Sequence, residues 1–374
     1  MKKSRTVYLA TEAAGGGVAR HVIDLYFGLK KEDWPVKLIL SPTRLEPMYL
    51  TELQEIPSDD LLTLPMRRGP HWSDAKVLAR LQKLFKEGEG RGILHTHSTK
   101  AGIFGAALRP WIHRSLFTPH AYRSVDPNLP KLKRIAIQAI ERTFSNTYDR
   151  VIAVAPAEYE HAIKLGVDPE RVRHIPNGIR LEHHPGAEHS DTAENIRKSP
   201  TLGFVGRLAP QKNPLLFLEV VRDFALHYPD VRAVVVGDGV LRAELQASAE
   251  RFGIADRIDW KGAIPATSVF PQIDILIHTS HYEGMPYTLI ESAAFGIPVV
   301  ATRNDGSVAI LADFLPEAIV DSFESASLVK QALLVWDDSV VRNNYFSKLK
   351  KIADKFSLDS MVNNLITEYE QLSK

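Results

Sequence analysis

Two carboxylates, Glu283 and Glu291, stand eight residues apart in the stretch Ser280–Pro298, SHYEGMPYTLIESAAFGIP. Apolar runs flank it, Asp274–His278 before and Ile297–Ala301 after, and both read as buried strands, so a loop and a helix lie between. Pro286 suits the first helical turn, Gly296 suits the position just past the helix end, and Pro298 prevents continuation. The backbone amides around Met285–Thr288 then face out of the sheet's carboxyl edge as an anion site. Glu291 falls about one and a half turns into the helix, so a bound phosphate has a carboxylate on either side. Carboxylates repel phosphate unless they bind something attached to it. The hydroxyls of a ribose or a sugar ring are strong, directional partners for an ionised carboxylate. Taken singly, Glu283 reads as a solvated loop residue and Glu291 as a helix-surface residue; the turn and its flanking strands reverse that reading.

Arg207 and Lys212 lie five positions apart in Gly206–Pro214, GRLAPQKNP, between a strand and a helix. Arg as a fork and Lys as a point charge grip one diphosphate from two sides, and this loop shares the carboxyl edge of the Glu283 turn. His95 and His97 share one face of a strand, a pairing that binds metal in barrel-type hydrolases. No further ligand follows at a recognisable spacing, and imidazoles satisfied at a strand's end are the main alternative. Gly15-Gly16-Gly17 sit in the first strand-to-helix turn, where a backbone can approach a ligand closely. A dinucleotide-binding dehydrogenase requires G-x-G-x-x-G and an acid after the second strand. Here Val36–Leu40 ends in Ser41-Pro42-Thr43.

These residues need an alternating α/β frame to place them. Strands are expected at Thr6–Ala10, Val36–Leu40, Leu61–Pro65, Ile93–His97, Leu116–Pro119, Val151–Ala155 and Val172–Ile175, then at Leu202–Val205, Ala233–Val236, Arg257–Trp260, Asp274–His278 and Pro298–Ala301. Leu181–Pro200, polar and rich in His, reads as the linker between two such halves. The length of 374 residues is comfortable for two domains. With 46 basic and 45 acidic residues, nucleic acid or anionic lipid would have to meet a local patch. One candidate is the basic-apolar helix that begins near Lys131, Lys133 and Arg134 and continues through Ile135, Ile137 and Ile140. It can lie on an anionic membrane or turn its apolar side into the core. The absence of cysteine removes disulfides and thiolate chemistry and fits a reducing cytoplasm. The apolar run of the N-terminus is too short for a signal peptide, and no stretch is apolar for long enough to span a bilayer.

The segment from Glu283 to Glu291 resembles the E-x(7)-E signature of the retaining family 4 glycosyltransferases, which have the GT-B fold. GGGVARHV, the run His95–Gly102, Thr118-Pro119-His120-Ala121, Pro176-Asn177-Gly178, Gly237-Asp238-Gly239 and Lys261-Gly262-Ala263-Ile264 resemble further motifs of that family in the expected order. The resemblance implies two Rossmann-like domains facing a central cleft. Residues 1–180 form the acceptor side, 181–200 the linker, 201–356 the nucleotide-sugar domain, and 357–374 a helix returning to the first domain. It implies catalytic roles for His120, Arg207, Lys212 and Glu283. Donor contacts fall to Gly16, Gly17, Ile264, Gly284, Met285, Pro286, Tyr287, Thr288, Leu289 and Glu291, with no metal or other cofactor. The implied reaction is retaining transfer from a nucleotide diphosphate sugar, with uracil the favoured base, to a saccharide or lipid-linked hydroxyl. No D-x-D triplet is present to hold a metal clamp. Polysaccharide or envelope glycan synthesis in the cytoplasm, with peripheral membrane contact and no nucleic acid, is the implied setting. A sugar-nucleotide epimerase and a non-catalytic nucleotide-sugar binder are the alternatives on the same fold. Where relatives often carry a glycine pair and a glutamate, this chain departs with Arg303-Asn304-Asp305-Gly306-Ser307.

Overall fold

The computed structural model describes residues 5–12, 16–44, 49–67, 69–87, 92–126, 129–180 and 198–374. The chain divides into two compact units, one of Met1–Gly178 with Leu358–Lys374 and one of Ile179–Ser357. Most of the expected linker, residues 181–197, lies outside the described residues, as does Gly15.

The first unit contains strands β1 (Val7–Thr11), β2 (Val36–Leu40), β3 (Leu61–Thr63), β4 (Ile93–His97), β5 (Arg114–Thr118), β6 (Arg150–Ala153) and β7 (Val172–His174). Its helices are α1 (Gly16–Lys31), α2 (Leu50–Gln54), α3 (Asp74–Glu87), α4 (Thr99–Leu108), α5 (Lys131–Ser145) and α6 (Pro156–Lys164). The strands pair in parallel in the order β3-β2-β1-β4-β5-β6-β7. The second unit has β8 (Thr201–Val205), β9 (Arg232–Val236), β10 (Ile258–Gly262), β11 (Ile275–His278), β12 (Val299–Thr302) and β13 (Ile319–Val320). Its helices are α7 (Pro214–Phe224), α8 (Arg242–Arg251), α9 (Tyr287–Ala294), α10 (Asp305–Leu311), α11 (Ser325–Asp337) and α12 (Ser339–Lys355). This second sheet is also parallel, in the order β10-β9-β8-β11-β12-β13. Strands covered on both faces read as continuous apolar runs, which is why they were visible in sequence. The two residues of β13 are too few to show any period, and no strand was expected there.

Strand order reverses between β1 and β4 in one sheet and between β8 and β11 in the other. Connections leave such a pair in opposite directions and open a crevice at the carboxyl ends of the strands. The chemistry-bearing loops of the sequence begin at these points.

The last helix, α13 (Leu358–Ser373), belongs to the first unit. Its Met361, Val362, Leu365 and Tyr369 join Val22, Leu25 and Leu29 of α1 in one core. Burial of each such large side chain contributes about 1.5–3 kcal/mol. Glu368, nearly buried, accepts from Arg150 at 2.9 Å and from Arg173 at 3.2 Å, which fixes the helix against β6 and β7. No helix among the described residues is long and apolar enough to cross a membrane.

Helix α1 meets α13 at Gly28, where an added Cβ would stand 2.5 Å from Val362 Cγ2. Gly28→Ala should therefore destabilise the protein by about 1–3 kcal/mol through overpacking, despite the better helix propensity of Ala. Adding Val362→Ala should recover much of the loss in urea unfolding. A Gly28→Ala protein more stable than the wild type would refute this packing.

Candidate active site

In the second unit the chain leaves β8 and doubles back over the carboxyl edge as Gly206–Asn213. Its close passage explains two glycines on the neighbouring strand end. An added Cβ on Gly237, whose φ is +128°, would lie 1.9 Å from Gly206 O, and one on Gly239 would lie 2.4 Å from Leu208 O. Pro210–Lys212 makes a single 3-10 turn, and Asn213 takes a left-handed conformation before Pro214 opens α7. Lys212 Nζ reaches Glu283 Oε1 at 2.5 Å, with 14% and 10% of the two side chains exposed. Arg207 stays exposed and donates to Gln211 Oε1 at 3.3 Å. Gln211 in turn donates from Nε2 to Tyr282 O at 3.0 Å, and its own carbonyl accepts the His281 amide at 2.9 Å. Gln211 thus joins the cationic loop to the Glu283 loop.

Burial pushes the Glu283 carboxyl up, but Lys212 and then His278 outweigh burial and hold it below the ordinary carboxylate range. His278 Nε2 stands 4.0 Å from Glu283 Oε1, and burial lowers its pKa to about 4, so the imidazole is neutral. The site therefore presents an ionised carboxylate paired with one ammonium.

Helix α9 begins one residue later than the sequence suggested. Pro286 is the N-cap, with φ −73° and ψ 118°, and Tyr287 opens the helix. Gly296 follows the helix end at φ +67°, as expected. Glu291 is buried on α9. Gly284, Tyr287 and Thr288 are partly exposed, while Met285 is 7% exposed. The Leu289 side chain is fully buried, and its amide donates to Pro286 O at 3.2 Å, which closes the first turn of the helix. Ile264, after β10, is 36% exposed. The segment that departs from relatives supports the loop. Thr302 Oγ1 and Asn304 Nδ2 donate to Ser280 O at 2.8 and 3.0 Å, and Asn304 forms a capping box with Ser307. An added Cβ on Gly306 would sit 2.6 Å from both Glu283 Cβ and Pro286 Cδ. Glycine there lets α10 lie against the turn.

In the first unit, imidazoles gather at the carboxyl ends of β4 and β5. His97 Nδ1 and His120 Nε2 are 3.1 Å apart, and His21 of α1 packs on both rings. His21 Nδ1 lies 3.0 Å from Asn177 Oδ1, which gives the Pro176-Asn177-Gly178 turn a part in orienting the cluster. His95 has both nitrogens engaged, Nδ1 with Tyr369 Oη at 2.7 Å and Nε2 with Thr118 Oγ1 at 2.8 Å. The satisfied-imidazole reading describes His95, and the His95–His97 metal pair does not form. A different trio, His21, His97 and His120, brings one nitrogen each within 4.8 Å of the others, a proximity that could hold an ion. Its members come from a helix, a strand and a loop, so no spacing in the sequence reveals it. Burial holds His21 at about 4 and His95, His97 and His120 well below the ordinary imidazole range, with neighbouring imidazoles adding to the effect for the last three. All four are neutral at pH 7.

The turn that carries His120 is held in left-handed conformation at His120 (φ 51°) and Ala121 (φ 78°). Glu158 accepts the Ala121 amide and, at 2.9 Å, the Val154 amide. Glu12 plays a similar part for α4, accepting from Ser98 Oγ and from the Ala101 amide at 3.1 Å. Of the two described glycines in the first loop, Gly16 starts α1 at φ +63° and accepts from Tyr49 Oη at 3.1 Å, while Gly17 is exposed. Arg207, Lys212, Glu283 and the α9 turn thus belong to the second unit, and His120, Gly16 and Gly17 to the first. Sequence reasoning missed Glu12, His21, Glu158, Gln211, His278 and Asn304. His21, inside GGGVARHV, had the strongest signal.

Burial raises Glu158 to about 7 against the opposing amide bonds. A carboxyl raised in the folded state stabilises fully below its unfolded pKa, near 4.5, and that contribution disappears as pH rises through about 7. The stability difference between wild type and Glu158→Gln should therefore shift against the wild type between pH 4.5 and 8, by on the order of 3 kcal/mol at most. Urea unfolding across that range reads it. A pH-independent difference would show Glu158 ionising normally.

Residues 187–355 match the family described as Glycosyl transferases group 1, and residues 15–183 match Glycosyltransferase Family 4. The UDP-Gal:alpha-D-GlcNAc-diphosphoundecaprenol alpha-1,3-galactosyltransferase of Escherichia coli is 30% identical over 308 residues, 78% of each chain. Among solved structures, Anabaena HepE in complex with UDP and glucose aligns at a TM-score of 0.81 and 17% identity, covering 98% of this chain and all of that one. A glycosyltransferase from Rickettsia africae aligns at 0.78 and 18% identity, covering 99% of both. At such identities the structural likeness shows the GT-B fold alone. Together with the two family matches and the Escherichia coli relative, it places this chain among the group 1, family 4 glycosyltransferases.

Proposed function

We propose that this glycosyltransferase moves a sugar from a UDP-sugar to a hydroxyl of a saccharide or lipid-linked acceptor, with retention of configuration and without a metal. The setting proposed is bacterial polysaccharide or envelope glycan synthesis at the cytoplasmic face of the inner membrane. The observation that carries the reading is Lys212 held at 2.5 Å by an ionised Glu283, with Arg207 exposed on the same loop. The Escherichia coli relative, named for a UDP-galactose donor and a diphosphoundecaprenol acceptor, and the Anabaena structure with UDP support the choice of donor and acceptor.

Departure of the nucleoside diphosphate builds negative charge on its β-phosphate. Arg207 as a bidentate fork, Lys212 as a point charge and the amides at the start of α9 stabilise that charge. A preorganised donor of this kind is worth about 3–4 kcal/mol in the transition state. The arriving diphosphate draws Lys212, and Glu283 turns to the hydroxyls of the donor sugar. Glu291 takes the ribose hydroxyls, Ile264 lies against the base, and His120 meets the transferred sugar as a neutral imidazole. Attack comes from the face of departure, and a donor phosphate oxygen accepts the acceptor proton. No protein nucleophile is needed.

In calorimetric titration with a chelator present, UDP should bind saturably and more tightly than GDP or ADP, and Glu291→Ala should weaken that binding. A requirement for added divalent metal would overturn the metal-independent reading. Arg207→Ala and Lys212→Ala should each lower turnover about 10²–10³-fold with circular dichroism unchanged. Near-normal rates in either variant would remove that residue from the mechanism.

A further inference from the structure

Three imidazoles meet at the carboxyl edge of the first sheet with their hydrogen bonding incomplete. His95, beside them, has a partner at each nitrogen. The trio differs, since His21 Nε2 and His97 Nε2 are buried and have none. A neutral imidazole carries one N–H and one lone pair. Asn177 Oδ1 can only accept, so the His21 Nδ1 that it meets at 3.0 Å carries the proton and the lone pair is left on Nε2. His97 Nδ1 and His120 Nε2, 3.1 Å apart, share one proton and so satisfy a single donor and a single acceptor. Whichever ring supplies that proton, the His21 lone pair is unanswered.

We infer that His21, His97 and His120 form a binding site for a divalent transition-metal ion, with zinc the best match. One cation takes a lone pair from each ring. Imidazole nitrogens about 2.0–2.1 Å from a tetrahedral ion stand about 3.3–3.4 Å apart. The His97–His120 pair is already near that spacing at 3.1 Å, and one nitrogen of each ring lies within 4.8 Å of the others. Closing the widest gap takes at most about 1.5 Å, within reach of ring rotation. Asn177 is the outer partner that fixes the tautomer and orientation of a ligating histidine. Ligand chemistry selects the ion: imidazole suits zinc and its neighbours, whereas magnesium and calcium need oxygen ligands, and among the described residues no carboxylate joins the trio. His120 is the partly exposed member, which leaves the fourth position to water. Sugar transfer does not need this ion. By holding His120, the ion withholds that ring from the transferred sugar and inhibits the enzyme, a consequence that rests on the function proposed above. Ion binding itself does not.

The tag-free whole chain, stripped with a chelator, tests the site. It should retain one equivalent of zinc through gel filtration, and cobalt in its place should give the visible absorption of a tetrahedral ion. His21→Phe should weaken zinc binding roughly 100-fold or more, and Asn177→Ala about 10–100-fold. His183→Ser/His184→Ser/His189→Ser removes the histidines of the linker and should bind zinc as the wild type does, with three imidazoles at about 2.0–2.1 Å in X-ray absorption. Wild type that keeps no zinc overturns the site, as does a linker variant that loses it. Unchanged affinity in a folded His21→Phe protein has the same force. Where His21→Phe does not fold, fewer than three imidazoles around the zinc of the linker variant decide against the trio. UDP calorimetry on zinc-loaded protein freed of excess ion separates the two readings: zinc retained without UDP binding leaves the site standing and removes the donor reading.

Discussion

Placing an ammonium and a carboxylate together out of water is a poor way to stabilise a fold. Desolvation costs several kcal/mol per ion, and an apolar pair of similar volume is often at least as stable. The Lys212–Glu283 pair is built regardless, with both side chains largely buried at 2.5 Å. Much of the surrounding structure supports it. Gln211 bonds across the two loops, Thr302 and Asn304 hold the Ser280 carbonyl, and Gly306 removes the side chain that would push the Glu283 turn away. A pair of charges kept at such a cost is consistent with the proposed role of Lys212 and Glu283 toward a diphosphate sugar.

The first unit uses the opposite electrostatic strategy. It buries imidazoles without a carboxylate in the cluster, so burial and mutual repulsion keep His95, His97 and His120 uncharged. Neutral rings can each donate and accept one hydrogen bond, and the network links His120 to His97 and His95 to the terminal helix through Tyr369. The carboxylates nearby, Glu158 and Glu12, bind backbone amides and shape turns. One unit thus presents charge, and the other presents neutral hydrogen-bonding groups on a left-handed turn.

Helix α13 gives the first unit its closing element. It buries an apolar face against α1 at the close contact of Gly28 with Val362, and it contributes Tyr369 to His95 and Glu368 to two arginines. The last residues of the chain are therefore part of the scaffold under the imidazole cluster. Helix α5 differs within the same unit: it buries Phe144 but leaves Leu132, Ile135 and Ile140 exposed to solvent.

What the sequence determined by itself was what depends on local order. Apolar runs marked twelve of the strands, because parallel strands are covered on both faces and need no polar side. Gly296 and Pro298 marked the end of α9, because left-handed backbone and a missing amide are local demands. Glu283, Arg207 and Lys212 were legible because their loops follow strands and precede helices. Only the tertiary structure decided which side chains meet. The Lys212–Glu283 contact, the His21–His97–His120 trio and the support from Asn304 and Gly306 join segments far apart in the chain, and nothing in residue spacing encodes such distances. The same holds for orientation: the sequence left open which way α5 turns its apolar residues, and the structure exposes Leu132, Ile135 and Ile140 while burying Phe144. Periodicity states that a helix has two faces, but which of them is covered depends on what the rest of the chain brings against it.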